Sequence, residues 1–162
     1  QFAQVAGVNI AVLELNKKRL DFCRTHFNIT HGITDLENVE RELRDTFGGD
    51  LPTAVFDATG NVNSMNGAFS YVANGGRLIL VGLVQDNITF HDPEFHRREM
   101  TLLSTRNALP ENFTRIIHLM ETGEINTRPW ITHRSNVSTF IEDFPTYLQP
   151  EQGVVKAILE FA

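Results

Sequence analysis

Cysteine is nearly absent from the sequence: Cys23 is the only one among 162 residues, and the chain has neither a long apolar run nor an internal repeat. A single cysteine excludes an internal disulfide and a cysteine-rich zinc site within this chain. No apolar run approaches the roughly 20 residues of a membrane-spanning helix. The net charge of −6 argues against nucleic acid, which binds basic surfaces. We therefore expect a globular protein with no membrane or nucleic-acid partner, and the lack of a signal peptide favours a cytoplasmic location.

Metal ligands are also scarce. The six histidines include the pairs His26/His31 and His91/His96, and the members of each pair are five residues apart. That spacing does not place both side chains on one helical face, so neither pair predicts a metal site. A glycine-rich G-x-G-x-x-G phosphate loop is absent as well. The sequence therefore predicts no metal ligand and no catalytic residue in this chain.

The stretch Thr53–Gly82 has the pattern of a strand, a helix and a second strand. Its apolar runs Ala54–Phe56 and Leu78–Val81 are short and bounded by Gly and Asp, which is typical of strands buried on both faces of a parallel sheet. The intervening segment of about a dozen residues fits one crossover connection. Ligands bind at the carboxyl ends of strands in open α/β sheets, so we expect a ligand near Asp57–Gly60 and Val81–Leu83.

Strand and helix patterns alternate along the rest of the chain, which predicts an α/β fold with a largely parallel sheet. The further predicted strands are Asn9–Glu14, Ile29–Ile33, Ile88–Phe90, a buried strand Met100–Thr105, and Val154–Phe161. The predicted helices are Lys17–Phe27 with Asn16 as its cap, a helix from Asp35 or Asn38 to Phe47, a short helix from Asp92, a helix from Pro110 with an apolar stripe of Phe113, Ile116, Ile117 and Met120, and a helix through Ile141, Phe144 and Leu148. Pro129–Ile131 is predicted to be irregular.

The start of the chain has the pattern of a helix end, since Gln1–Gly7 finishes on a glycine. We therefore expect a fragment whose first strand and phosphate loop would precede Gln1. In the strand order 3-2-1-4-5-6 that first strand lies between Asn9–Glu14 and Thr53–Asp57. Without it, we expect these two strands to pair directly or another chain to fill the gap.

Glu14 stands at the end of a predicted strand. In nucleotide-binding α/β domains, an acid at the end of the second strand accepts hydrogen bonds from the adenosine ribose hydroxyls. The alternative is a solvated loop carboxylate, and the position alone does not decide between them. Arg19 and Lys156 are candidates for contacts to ribose or phosphate oxygens, with ordinary surface charges as the alternative.

A resemblance to the nucleotide-binding domain of medium-chain, zinc-type alcohol or polyol dehydrogenases is carried by Glu14, Asp57–Gly60, Gly75–Gly76, Val81–Gly82, Arg106–Asn107 and Ile131–His133. It covers residues 1–162 and implies one Rossmann-like, doubly wound NAD(P)-binding domain, truncated at the N-terminus. Within the family, a likeness to bacterial L-galactonate or L-gulonate 5-dehydrogenases is carried by Phe47–Gly49, Asp92–His96 and Arg106–Ala108.

The resemblance implies an enzyme that passes a hydride from a secondary alcohol of a polyol or sugar acid to NAD. Catalytic zinc would lower the alcohol's pKa and would be bound by an N-terminal domain outside this chain. Glu14 would hold the ribose diol, Leu15 would pack on adenine and Arg19 would support the ribose. The other cofactor contacts would come from Ala58, Thr59, Gly60, Val81, Gly82, Leu83, Thr105, Arg106, Asn107 and, at the pyrophosphate, Lys156.

The cofactor is expected to be NAD rather than NADP, because the Glu14 carboxylate accepts from a diol and repels a phosphate of like charge. The chain alone is expected to be inactive. A homo-oligomer is expected, because in the family the segment corresponding to Ile88–Thr105 helps to build the subunit interface. Two alternatives stay open: an isolated assembly or dimerisation domain, and an unrelated α/β nucleotide-binding module.

Overall fold

The computed structural model describes residues 1–161, in which helices and strands alternate. The helices are α1 Phe2–Val5, α2 Lys17–Phe27, α3 Val39–Thr46, α4 Val62–Gly67, α5 Asp92–Arg97, α6 Pro110–Glu121 and α7 Phe140–Tyr147. The strands are β1 Ala11–Leu13, β2 His31–Ile33, β3 Ala54–Asp57, β4 Arg77–Leu80, β5 Thr101–Ser104, β6 Ile131–Asn136 and β7 Lys156–Glu160. Short 3-10 helices span Ala68–Tyr71, Arg128–Trp130 and Pro150–Gln152.

The chain forms two compact units. The first unit contains Gln1–Thr34 and the segment from Leu109 onward, and the second unit is Asp35–Ala108. In the first unit β1 pairs with β2 and β6 pairs with β7, whereas the second unit holds a sheet in the order β3-β4-β5. Every one of these strand pairs is parallel, as the alternating pattern predicted. The first of the two expected outcomes, direct pairing of β1 with β3, is wrong, since it is not among the strand pairs of residues 1–161; the alternative, another chain that fills the gap, stays a prediction.

Local signals set the ends of α2. The Asn16 side chain accepts hydrogen bonds from the N–H groups of Lys18, at 3.0 Å, and Arg19, at 3.3 Å, which caps the first turn. The helix buries Leu20 completely. Gly32 of β2 makes room for it, because a Cβ at position 32 would lie 2.7 Å from Leu20 Cδ1. The first unit thus packs α2 closely on the β1–β2 pair.

An apolar cluster forms the core of the second unit. It contains Ala68, Phe69, Val72, Leu78 and Met100, of which Val72 and Leu78 are fully buried. Leu78 lies on the central strand β4, so the cluster fixes β4 between its neighbours. This packing sets the positions of the loops that follow β3, β4 and β5.

The predicted strand Ile88–Phe90 is wrong, because this segment has no strand structure. Its apolar residues pack against other side chains instead of pairing with a strand. The Phe90 ring stacks on Phe69 with 4.8 Å between ring centroids, and it lies 4.9 Å from Phe95. A short alternating pattern cannot distinguish a strand from a loop held by aromatic contacts.

The predicted burial of several apolar segments is also wrong. All four residues of β5 are exposed, including Leu102 and Leu103. Phe56 of β3 is 66% exposed. The stripe on α6 is largely exposed, at 58% for Phe113 and 55% for Ile117, whereas Leu119 is buried. Burial depends on which element covers a face, and the periodicity of one segment does not contain that information.

The interpretation of Pro129–Ile131 as irregular is partly wrong. Pro129 lies in the 3-10 helix Arg128–Trp130, but Ile131 begins the strand β6. The longest helix of the described residues, α6, has 12 residues, and none of the helices between residues 1 and 161 combines the length and apolar character needed to cross a membrane.

Candidate functional site

Three predicted site segments come together at one edge of the sheet in the second unit. Because β3, β4 and β5 are adjacent and parallel, the loops Ala58–Gly60, Val81–Leu83 and Thr105–Asn107 all leave the sheet at its carboxyl edge. The Val81 and Gly82 N–H groups donate to the Asp57 carbonyl oxygen at 2.8 and 3.0 Å. These bonds join the loop after β4 to the end of β3.

The backbones of Gly60 and Gly82 pack directly against each other. A Cβ at position 82 would lie 2.5 Å from the Gly60 nitrogen and 3.0 Å from its Cα. Gly60 has a φ of 62°, a conformation that residues with a side chain rarely adopt. A Cβ at position 60 would also lie 3.2 Å from the Leu83 carbonyl oxygen. The ends of β3 and β4 are therefore in direct main-chain contact, with no side chain between Gly60 and Gly82.

Asp57 and Ser64 fix the Ala58–Gly60 loop. The sequence analysis expected a ligand near Asp57–Gly60 but gave Asp57 no cofactor contact, and it did not single out Ser64. Asp57 is buried, and its Oδ1 accepts from Thr59 N at 2.9 Å and from Thr59 Oγ1 at 2.7 Å. Its Oδ2 accepts from Ser64 Oγ at 2.6 Å. Thr59 Oγ1 in turn accepts from Asn61 N at 3.1 Å. The signal in the sequence was an aspartate at a strand end with a threonine two residues later, a pattern of local side chain–backbone hydrogen bonding.

Glu14 directly follows β1 in the first unit and lies near two other predicted site residues, Leu15 and Arg19. Its N–H donates to the Ile33 carbonyl at 3.0 Å, and its Oε1 accepts from Asn16 N at 2.8 Å. Within residues 1–161, Oε2 accepts no hydrogen bond, so it remains available for a ligand. Leu15 is 58% exposed and Arg19 is exposed on the first turn of α2.

The Glu14 charge also affects a neighbouring thiol. Burial raises the pKa of Cys23, and the negative charge of Glu14 raises it further. Both effects disfavour the thiolate, so Cys23 is not an activated nucleophile.

Lys156 is the last of the predicted cofactor-binding residues. Lys156 begins β7 with an exposed side chain, and its carbonyl accepts from Thr132 Oγ1 at 3.3 Å. In residues 1–161 its ammonium group makes no hydrogen bond or salt bridge with the residues around Glu14.

No three His, Cys, Asp or Glu side chains of the described chain are grouped so that they could hold a metal ion. These residues therefore do not fit a zinc site.

Comparison with known proteins places the chain in a family. The sequence model described as "Zinc-binding dehydrogenase" matches residues 1–122. The chain belongs to the zinc-binding dehydrogenase family. The sequence is 31% identical over 159 residues to L-galactonate-5-dehydrogenase from Escherichia coli K12, which covers 98% of this chain and 47% of the relative. It is 27% identical to L-arabinitol 4-dehydrogenase from Aureobasidium melanogenum, covering 93% of this chain and 42% of the relative.

Solved structures of dehydrogenases have the same fold as this chain. A protein described as a short chain alcohol dehydrogenase from E. coli CFT073, crystallised with cofactor NADH, matches with a TM-score of 0.83 at 18% identity, over 94% of this chain and 44% of that one. The resemblance to zinc-type dehydrogenases and the Rossmann-like α/β class are thereby confirmed. The chain spans less than half the length of each of these relatives.

Proposed function

We propose that residues 1–162 are the cofactor-binding domain of an NAD-dependent oxidoreductase, which oxidises a secondary alcohol of a polyol or sugar acid by hydride transfer. The observation that carries the proposal is the contact between Gly60 and Gly82 at the carboxyl ends of β3 and β4. A surface of bare main chain at parallel strand ends lets a dinucleotide approach closely and hydrogen-bond to backbone groups. The family membership makes a nicotinamide dinucleotide the natural occupant.

The adenosine end of NAD is assigned to residues of the first unit. Glu14 would accept hydrogen bonds from the ribose diol through its available Oε2, because Oε1 is already held by Asn16 N. Leu15 would pack its exposed side chain on adenine, and Arg19 would support the ribose. Lys156 would approach the pyrophosphate, where its exposed ammonium group offers three donors.

The nicotinamide end is assigned to the strand ends of the second unit. Ala58, Thr59 and Gly60 would line the cofactor cleft. Backbone groups would be offered by Val81, Gly82, Leu83, Thr105, Arg106 and Asn107. NAD, when bound, supplies the hydride acceptor, and the role of this chain is to hold and orient it.

The substrate class comes from the relatives, two of which are named as dehydrogenases of L-galactonate and L-arabinitol. These names support a polyol or sugar acid as the small-molecule substrate. Zinc is expected in the intact enzyme, held by residues outside this chain. On this proposal the chain alone binds the cofactor and does not turn over substrate.

Backbone NMR of the 162-residue chain tests the cofactor assignment, because chemical-shift changes detect even millimolar binding. Titration with NADH should shift the amides of the Ala58–Gly60, Val81–Leu83 and Thr105–Asn107 loops together with Leu15. AMP, which lacks the nicotinamide half, should shift only the amides near Glu14. An unchanged spectrum at saturating NADH would refute the proposal for this chain.

Assembly is a second candidate role, and the exposed strand β5 favours it. β5 lies at the edge of its sheet, and the Thr101 and Thr105 N–H groups donate to Gly76 and Leu80 of the β4 side at 3.0 and 3.1 Å. The Leu102 N–H therefore points to the free edge. We propose a homo-oligomer formed through this edge, so Leu102→Pro should convert it to monomer in light scattering. A monomeric wild-type protein would refute this assignment.

A further inference from the structure

The Asp57 carboxylate accepts hydrogen bonds from its own loop and from α4. Three donors meet it: the N–H and the hydroxyl of Thr59 on Oδ1, and the Ser64 hydroxyl on Oδ2, all between 2.6 and 2.9 Å. Asp57 is only 5% exposed. A buried carboxylate with this set of donors is a rigid anchor, because charge-assisted hydrogen bonds are about twice as strong as neutral ones.

The loop anchored in this way has little freedom left. The Thr59 hydroxyl donates a hydrogen bond to Asp57 and accepts one from Asn61 N at 3.1 Å. The Asn61 side chain then accepts from Ser64 N at 3.2 Å and from Asn63 N at 2.9 Å, which starts α4. The strand end, the loop and the first turn of α4 thus form one hydrogen-bonded network. Gly60 is held against Gly82 within it.

We propose that Asp57, together with Ser64, is a positioning residue for cofactor binding, which fixes the Ala58–Gly60 main chain and keeps the Thr59 hydroxyl away from the ligand. This inference rests on the proposed function. It assigns recognition at this loop to backbone groups, and it assigns the Thr59 side chain to the anchor. Neither Asp57 nor Ser64 touches the cofactor; both act through the loop.

Asp57→Asn tests the carboxylate only weakly. In this variant one of the two oxygens becomes an NH₂ group; at the Oδ1 position it would meet the Thr59 N–H, which can only donate, but at the Oδ2 position it could donate to the Ser64 hydroxyl, which can also accept. The amide can therefore retain most of the network. The discriminating variant is Ser64→Ala, which removes one donor and leaves the charge in place. Ser64→Thr retains the hydroxyl and serves as the rescue.

The chain offers a matched control in Ser135→Ala. The buried Ser135 hydroxyl donates to Asp143 Oδ2 in the first unit, so the substitution removes the same kind of bond. Ser135 has no assigned part in cofactor binding. Both Ser→Ala variants should lower the unfolding midpoint, whereas only Ser64→Ala should disturb the loop. A purely structural role of Ser64 would make the two variants behave alike toward NADH.

Two measurements on the 162-residue chain test the inference. Hydrogen exchange of the Thr59 and Asn61 amides should be roughly tenfold faster in Ser64→Ala than in wild type and Ser135→Ala, which corresponds to loss of about one hydrogen bond. The NADH dissociation constant from NMR titration should rise roughly 3- to 10-fold in Ser64→Ala, since the loss of one hydrogen bond that holds the loop corresponds to about this factor in an equilibrium constant. Ser64→Thr should restore both values.

Equal NADH affinity in Ser64→Ala and wild type would overturn the inference, as would an equal loss in Ser135→Ala. Unchanged exchange at Thr59 and Asn61 would overturn it as well. Failure of the proposed function has a different signature: the wild type would not bind NADH, while the exchange pattern would still follow the Ser64 hydroxyl.

Discussion

Replacing Gly82 with alanine is the most direct perturbation of the strand-end packing. The added Cβ would lie 2.5 Å from the Gly60 nitrogen, 3.0 Å from Gly60 Cα and 3.3 Å from the Ala58 carbonyl carbon. All three atoms are main chain, so no side-chain rotation relieves the overlap. The Asp57 network holds the same segment from the other side, which limits how far the loop can retreat.

The size of the effect follows from the distances. An ordinary contact begins at 3.4 Å, so the Gly60 nitrogen must move by about 0.9 Å. Overpacking of this kind typically costs about 1–3 kcal/mol of unfolding free energy. A misplacement of about 1 Å can cost a catalysed reaction up to roughly 100-fold in rate, and a main-chain surface displaced by this distance also loses its fit to a bound cofactor. We therefore expect Gly82→Ala to lose more in NADH affinity than its loss of stability alone explains.

Urea unfolding and NADH titration of the folded protein measure the two effects separately. Gly67→Ala is the matched control, because Gly67 has a φ of −67° and its added Cβ would meet only Tyr71 Oη, at 3.7 Å. This control should leave NADH binding unchanged and stabilise α4 by up to about 1 kcal/mol. If Gly82→Ala has the same unfolding free energy and the same NADH affinity as the wild type, the main-chain contact between Gly60 and Gly82 does not exist in solution.

Three further predictions concern other parts of the chain. In the intact enzyme, kcat/KM should favour NAD over NADP by at least about tenfold, and Glu14→Ala should reduce this ratio, because the carboxylate repels the additional phosphate; an unchanged ratio would make Glu14 a surface carboxylate. Hydrogen bonds from Ser135 and then Thr139 lower the pKa of Asp143, so this group stabilises the fold above its unfolded pKa and the contribution disappears as the pH falls through the depressed value. Asp143→Asn should therefore flatten the acid side of a stability profile, and an identical profile would contradict the assignment. Gly32→Ala should cost about 1–3 kcal/mol in urea unfolding, because its Cβ would overlap the buried Leu20 side chain; no loss of stability would show that Leu20 can move away.

The features predicted best from the sequence are helix and strand ends, which depend on residues that are close together in the chain. The Asn16 cap, the glycine at the end of α1 and the strand end at Asp57 all follow from local preferences, and all are present. The predicted run Leu78–Val81 extends one residue beyond the observed end of β4 at Leu80. The meeting of three loops at one sheet edge was predictable too. It needs only that consecutive strands are parallel, and the crossover lengths indicated that.

Contacts between distant residues were beyond prediction from periodicity. Phe90 was assigned to a strand because nothing in its own segment indicates the stacking on Phe69. β5 was assigned to the interior because its apolar run does not state which faces are covered. Ser64 was not singled out, since its bond to Asp57 depends on how α4 folds back on the strand end. Each error concerns a partner that only the folded chain supplies.

In our proposal, different residues contact the two ends of the cofactor, and this determines which of them can distinguish NAD from NADP. At the strand ends of the second unit the Thr59 hydroxyl is bonded to Asp57, and Gly60 and Gly82 have no side chains, so this edge offers mainly main-chain groups. In our proposal these groups meet the nicotinamide end, which NAD and NADP have in common. The two cofactors differ only at the adenosine ribose, the part assigned to Glu14. On this proposal, selection between them depends on Glu14 and Arg19: the Arg19 guanidinium could partly accept the additional phosphate, and we expect the repulsion by the Glu14 carboxylate to outweigh it. Asp57 and Ser64 would control how tightly either cofactor is held.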